Sequence, residues 1–332
     1  MLVERDPQRR SELPRAIVFF EARVAEHAGR LALATRLSET EPLEWPAGGG
    51  SELDAPHFPL YEVTAVASSL REAATLALLE HDAAACAHSL DRLLTLADRT
   101  TAPPYFIGFL LRALFLDQVL AAITSTAGVL AEEDARSLLA RLETHEPWSN
   151  VLHALRGERA IANRRFAAMQ AEIDRQGSSD AILGEVVHTV GVHQREYLDL
   201  MAVAVDGLES GVPWAELAER HELARSELDS AIALALVPEL GDLLEFVAVE
   251  EVRWLQAQAA LRARLDGPDA ALAWWTGRDD PFGAGGMHGR TEDDGALTLW
   301  SVGPNGSDDG GRGEPVSEGP LDLVRTVSPG DR

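Results

Sequence analysis

Residues 70–99 read LREAATLALLEHDAAACAHSLDRLLTLADR. Two apolar-periodic runs flank the dipeptide His81-Asp82, and no proline interrupts either run. Ala87, Leu90, Leu93, Leu94 and Ala97 recur at the spacing that collects side chains on one face of an α-helix. The pattern predicts a helix over 60–80, a turn at 81–82 and a second helix over 83–99. Alanine at the contact positions and an acidic turn give this pair the flavour of a tetratricopeptide hairpin.

The rest of the chain follows from this pair. Pro103-Pro104 ends the second helix and suits the first turn of a third, predicted over 104–127. Further helices are expected at 131–144, 148–175, 180–208, 213–221, 224–236 and 239–265. The punctuation between them is Gly128, Pro147, Gly177, Gly211 with Pro213, and Pro238 with Gly241. On the N-terminal side, Leu13, Ile17, Phe20, Val24, Leu31 and Leu37 mark an amphipathic helix over 11–38. A Pro/Gly-rich loop, EPLEWPAGGGSELDAPHFP, separates it from the hairpin. The composition changes near residue 276, where Gly, Asp and Pro take over. Within that region 296–302 reads as one strand and 321–327 as a second. The expected fold is mainly α: a tail at 1–10, an irregular array of antiparallel helical hairpins over 11–275, and a small β/loop module over 276–332. Trp274 and Trp275 stand at the boundary, where they can anchor the module to the helices.

Charge narrows the function classes. The 332 residues carry 29 Lys and Arg against 54 Asp and Glu, a net charge of −25. Such a chain repels phosphate backbones and anionic lipid surfaces, so nucleic acid is not an expected partner. Residues 106–130 are the most apolar stretch, but Arg112 and Asp117 near its middle mark a buried core helix and not a membrane span. An arginine in so apolar a helix needs a countercharge, and Asp117 or Glu158 is expected to supply it. The sole cysteine, Cys86, reads as a small core residue. The N-terminal MLVERDPQRRSELPRAIVFF shows no apolar export signal.

Three chemical candidates stand out. Loop 301–311, SVGPNGSDDGG, gathers oxygen-bearing side chains after a strand, with glycines that let the chain curl. Calcium takes six to eight oxygens in flexible geometry, and Asn305, Asp308, Asp309 and Asp322 are its candidate ligands. Against it stands the plain reading of a solvated acidic turn. Glu185 and His188 form a Glu-x-x-His unit of the kind found in helical metal enzymes, which require a second such unit that this chain lacks. Residues 211–230 have the sound of a helix-turn-helix, but the would-be recognition helix offers Arg225, Ser226, Glu227 and Asp229, a net acidic face unsuited to DNA.

The C-terminal run Asp280-Pro-Phe-Gly283, an apolar strand, Ser301-Val-Gly-Pro-Asn-Gly306 and Asp322 resembles the calcium-binding end of the major pseudopilins of type II secretion. Those end in Asp-Pro-Trp-Gly, a strand, Ser-Leu-Gly-x-Asp-Gly and Asp-Asp-Ile. The resemblance implies a backbone carbonyl ligand at Val302, with Asn305 where the family has Asp and Asp322 at the second closing Asp. Leu321 replaces the first. The resemblance covers about 50 residues and lacks the apolar N-terminal helix on which those proteins assemble. Over 55–325 the order of segments, including FLLRALFLDQVL, Leu155-Arg-Gly-Glu-Arg-Ala160 and the SVGPNG tail, is similar to a group of uncharacterised bacterial all-helical proteins. Members of that group commonly carry an export signal or membrane anchor. Together these features lead to a non-enzymatic scaffold that recognises a protein or peptide partner and has a calcium-stabilised C-terminal loop. A metal-dependent helical enzyme using Glu185 and His188 and a DNA-binding protein are the alternatives. A calcium site favours the cell envelope, the N-terminus does not, and the compartment stays open.

Overall fold

The computed structural model describes residues 7–39, 60–99, 106–144, 147–176, 181–228, 240–283, 285–312 and 323–327. Among these residues the chain is mostly helical, with a small antiparallel sheet at its C-terminal end. The helices are α1 (Pro7–Glu26), α2 (Ala28–Glu39), α3 (Leu60–Leu79), α4 (Ala83–Arg99), α5 (Phe106–Thr126), α6 (Glu132–Glu143), α7 (Pro147–Gln176), α8 (Ala181–Glu209), α9 (Trp214–Ser226), α10 (Leu240–Asp266) and α11 (Pro268–Thr276). The strands are β1 (His288–Thr291), β2 (Leu297–Ser301) and β3 (Leu323–Val327), in the order β1-β2-β3.

The α3–α4 pair is the hairpin that its sequence encodes. Its turn falls at His81, which takes a positive φ of 60°, and Asp82 caps the start of α4 by accepting the Ala85 amide at 2.9 Å. Every apolar position that defined α4 is buried: Ala87, Leu90, Leu93, Leu94 and Ala97. Cys86 lies among them, and burial pushes its thiol up to about 11, as suits a packing residue and not a nucleophile.

Two packed cores follow from which helices meet. One gathers the apolar faces of α2 to α6 with α10, α11 and the sheet. The other joins Phe109 of α5 to α7, α8 and the first turns of α10 through Phe166, Tyr197, Leu200 and Met201. Helix α10 belongs to both and packs against α5, α6, α7, α9, α11 and β3. A tetratricopeptide-like arrangement is therefore not confirmed, because in a solenoid each hairpin touches only its neighbours, whereas α10 reaches back across more than a hundred residues to α5.

Several boundaries differ from the sequence reading. The single helix expected over 11–38 is broken at His27, which is buried and bonded through Nδ1 to Glu72 of α3 at 3.0 Å. The turn expected near 222 is absent. Helix α9 runs unbroken from Trp214 to Ser226, since no glycine or proline interrupts it and Leu217 and His221 both face inward. Helix α11 and strand β1 have no counterpart in the sequence reading. The former starts with Pro268 in its first turn after Gly267, whose φ is 93°.

The sheet continues the helical core. Leu297, Leu299 and Ser301 of β2 share one face with their partners Val327, Arg325 and Leu323 of β3. Leu297, Leu299, Val302 and Val327 are buried in the same cluster as Ala257, Leu261 and Trp275. Trp275 is fully buried and donates its indole N–H to the His288 carbonyl at 2.6 Å, and Gln256 of α10 donates to the Leu323 carbonyl at 2.8 Å. The guanidinium groups of Arg262 and Arg278 each lie 4.7 Å from the Trp274 ring centre.

Candidate functional site

Every residue of β2 is buried, yet a strand has two faces and the helices cover only one. The other face is covered by the acidic loop that follows it. Trp300, on that outer face, stacks on its cross-strand partner His288 with ring centres 5.7 Å apart. Arg290 lies 5.3 Å from the Trp300 ring centre. Asp308 then folds back and accepts the Trp300 indole N–H at 3.0 Å. Gly311 closes the wrap: a side chain there would stand 3.0 Å from the Trp300 ring, and its φ of 72° suits glycine. Gly303, Gly306 and Gly310 also take positive φ, so the loop curls as its glycine content implies.

The base of the loop is held by one carboxylate. Asp280 is 5% exposed and accepts three hydrogen bonds: from the Phe282 amide at 2.9 Å, the Ser301 hydroxyl at 2.7 Å and the Val302 amide at 2.9 Å. It ties the turn after α11 to the end of β2, and Ser301 Oγ accepts in turn the Gly303 amide at 3.2 Å. Phe282 packs edge-on against Trp214 of α9, 5.0 Å between ring centres.

The expected calcium ligands are arranged as follows. Val302 is buried, with its amide committed to Asp280. The Asn305 amide group donates to Asp309 at 3.2 Å, and its oxygen accepts from the Ser307 amide at 3.0 Å. Asp308 Oδ1 serves both Trp300 and the Gly310 amide, while Oδ2 lies 3.5 Å from His288 Nδ1. These donors, Trp300 first, hold the Asp308 carboxyl below the usual carboxylate range. Asp322 lies outside the described residues. Asn305 and Asp309 are thus brought together, and Asp308 is turned toward the aromatic pair instead. Among the described residues no group of three or more His, Cys, Asp or Glu side chains is placed to hold a metal ion. Glu185 and His188 lie on α8, and their side chains are outside what the structure describes.

A second constellation lies between α5 and α10. Arg112 is 2% exposed, and its guanidinium stands 4.0 Å from Asp98 of α4. Burial brings it down to about 10, with Asp98 and then Glu250 opposing, so it stays charged near neutrality. Asp117, one of the two partners expected for Arg112, is bonded to Arg253 of α10 instead. Five residues apart on a helix is a rotation of about 140°, so Arg112 and Asp117 face different neighbours. Glu158 acts on Tyr197 of α8, whose hydroxyl burial pushes well up. Arg253 also donates to the buried Glu250 at 2.9 Å. Burial, opposed by Arg253 and reinforced by Asp117, raises Glu250 to about 7. Beside this group a cleft of 240 Å³ opens between α3 and α5, lined among others by Arg71, Thr75, Asp117, Gln118 and Ser125.

The loop carboxylates and Arg112 stand out in the sequence, whereas Asp280 stands there only as one residue of the Asp-Pro-Phe-Gly run. The signal for Asp280 is its place as the acidic residue directly before Pro-Phe-Gly, which marks a turn whose amides need an acceptor. Nothing in the local sequence marks Glu250, whose environment is assembled from distant segments. No helix among the described residues is long and apolar enough to cross a membrane. No family model, curated protein or solved structure matches the chain.

Proposed function

We propose that the chain is a non-enzymatic binding protein, with the helical body as scaffold and loop 303–312 as a calcium-stabilised recognition element. The observation that supports this reading is the contrast between the loop's base and its tip. The base is fixed by Asp280, by Trp300 and by the close approach of Gly311, whereas Asn305, Gly306, Ser307 and Asp308 are exposed. A loop that is presented to solvent yet already ordered loses little conformational entropy on binding. Its side chains are acidic or amide, which suits a hard cation or a basic segment of a protein partner.

In this reading Asp309 supplies a carboxylate oxygen to calcium and Asn305, which now donates to it through its amide nitrogen, turns its oxygen to the ion, with Val302 offering its carbonyl, Asp322 a further carboxylate and waters completing the shell. Asp308 acts as the clasp that keeps the loop on Trp300. Binding at such a site with few charged ligands falls in the weak range of extracellular modules, about 0.1–1 mM. The test is the movement of the Gly306, Ser307 and Gly310 amide resonances on titration with calcium, with magnesium as the control. Saturable shifts confined to the loop and specific to calcium support the reading. Shifts absent, or equal with magnesium, remove calcium from it.

A further inference from the structure

Glu250 lies buried on α10 beside α5, with one of its two oxygens unmatched, in a charge network that reaches β3 through Arg253 and Asp117. Its Oε1 accepts from Arg253 at 2.9 Å, while Oε2 is buried and has no hydrogen-bond partner among the described residues. The charged groups acting on it are Arg253 of its own helix and Asp117 and Arg112 of α5. Asp98 of α4 stands behind Arg112. On the sheet side, Arg325 shares the inward face of β3 with Leu323 and Val327, half-buried and facing Arg253 and Asp117. Less than two turns further along α10, Gln256 holds β3 by its Leu323 carbonyl. The helix that buries Glu250 therefore also carries the sheet, and β3 packs against both α10 and α5.

A carboxylate in this position loses its water and recovers only part of its hydrogen bonding, which disfavours the charged form. We propose that Glu250 is a proton-binding group whose charge state sets how firmly the C-terminal sheet is held on the helical body. With the sheet in place the proton is retained up to about pH 7, against an ordinary value of 4.5. When β3 lifts and water reaches the junction, the group returns toward that ordinary value. Between pH 4.5 and 7 the closed state binds more protons than the open one. Closure is therefore firmest at the acidic end, weakens as pH rises through this window, and gains nothing further from Glu250 above it. His221 works in the opposite sense. Burial lowers it to about 4, so its contribution to folding strengthens with rising pH up to its ordinary 6.5. The two groups oppose each other, and only comparison with a Glu250 variant separates them.

The experiment is amide hydrogen exchange on the full chain at pH 5.5 and 8.0, corrected for intrinsic exchange rates. Amides of 297–301 and 323–327 report on the sheet, and amides of α7 and α8 serve as the internal reference. In the wild type the sheet should open about thirtyfold more often at pH 8.0 than at 5.5, relative to the reference. Glu250→Gln, a neutral side chain of the same shape, should abolish that ratio and hold the sheet at pH 8.0 as the wild type does at 5.5. The carboxyl carbon resonance of Glu250 in the wild type supplies a second readout that needs no variant, and should titrate near 7. The proposal is overturned if folded Glu250→Gln keeps the wild-type ratio, or if Glu250 titrates between 4 and 5.

Discussion

Replacing Asp280 by alanine removes the acceptor shared by three donors at the base of the C-terminal loop. Two of these, the amides of Phe282 and Val302, lie in a buried setting and have no freedom to seek another partner. The Ser301 hydroxyl can rotate, and it still accepts from Gly303. A buried donor left without an acceptor costs about 1–3 kcal/mol. Two such amides give about 2–6 kcal/mol, and local yielding of the turn trims the upper end, so about 3–4 kcal/mol is expected. The lost desolvation of the carboxylate offsets part of this, but orphaned donors outweigh it, because the carboxylate was fully matched and its partners then are not. For a chain of this size each kcal/mol moves the thermal midpoint by about 2 °C, which predicts a fall of about 6–8 °C. Asp280→Asn, which keeps one carbonyl oxygen, should fall about half as far. The assay is thermal unfolding followed by near-ultraviolet circular dichroism, to which the packed Trp275 and Trp300 contribute. A fall below about 1 °C for Asp280→Ala, with the aromatic signal intact, would show that the turn does not depend on this carboxylate.

Other expectations follow from single contacts. Trp275→Phe keeps a six-membered aromatic ring but loses the pyrrole ring and its bond to the His288 carbonyl, and with the cavity left behind should lower stability by about 2–4 kcal/mol in denaturant titration. Asp308→Ala frees the Trp300 indole and should raise hydrogen exchange at Gly310 while leaving α7 and α8 unchanged. His221→Gln should flatten the part of the stability profile that rises from pH 4 to 6.5, because the unfolded chain takes up a proton there that the folded chain refuses. The contribution is on the order of 3 kcal/mol, and an unchanged profile in calorimetry at several pH values would contradict it.

The helices were legible wherever the apolar positions repeat without a break. The α4 sequence names its own buried face, and α3, α5, α6, α7, α8 and α10 lie within a residue or two of their expected bounds. Strands β2 and β3 were legible for the same reason, as runs of β-branched and large apolar residues. Strand β1 was not, because HGRT has no apolar alternation. Gly289 sits where Leu272 and Leu299 crowd it from the inner face, so the position that would advertise a strand is the one that must stay bare. The break at His27 depends on Glu72, which lies 45 residues away, and local propensity carries no record of it. The acidic loop was legible as a loop with curling glycines. That Trp300 and Gly310 donate to Asp308, with His288 beside it, is not legible, because these groups come from strands and turns whose register the sequence does not spell out. The central place of α10, and with it the buried Glu250, belongs to long-range packing for the same reason.

The measurement that bears most directly on the proposed function is the thermal midpoint of the full chain in 10 mM calcium and in EDTA, with Asp309→Ala alongside. With a dissociation constant of about 1 mM, calcium stabilises by about 1.4 kcal/mol, or about 3 °C. The wild type should show that rise, and Asp309→Ala should lose it. A wild type indifferent to calcium, or a variant that responds as the wild type does, would contradict the proposed function.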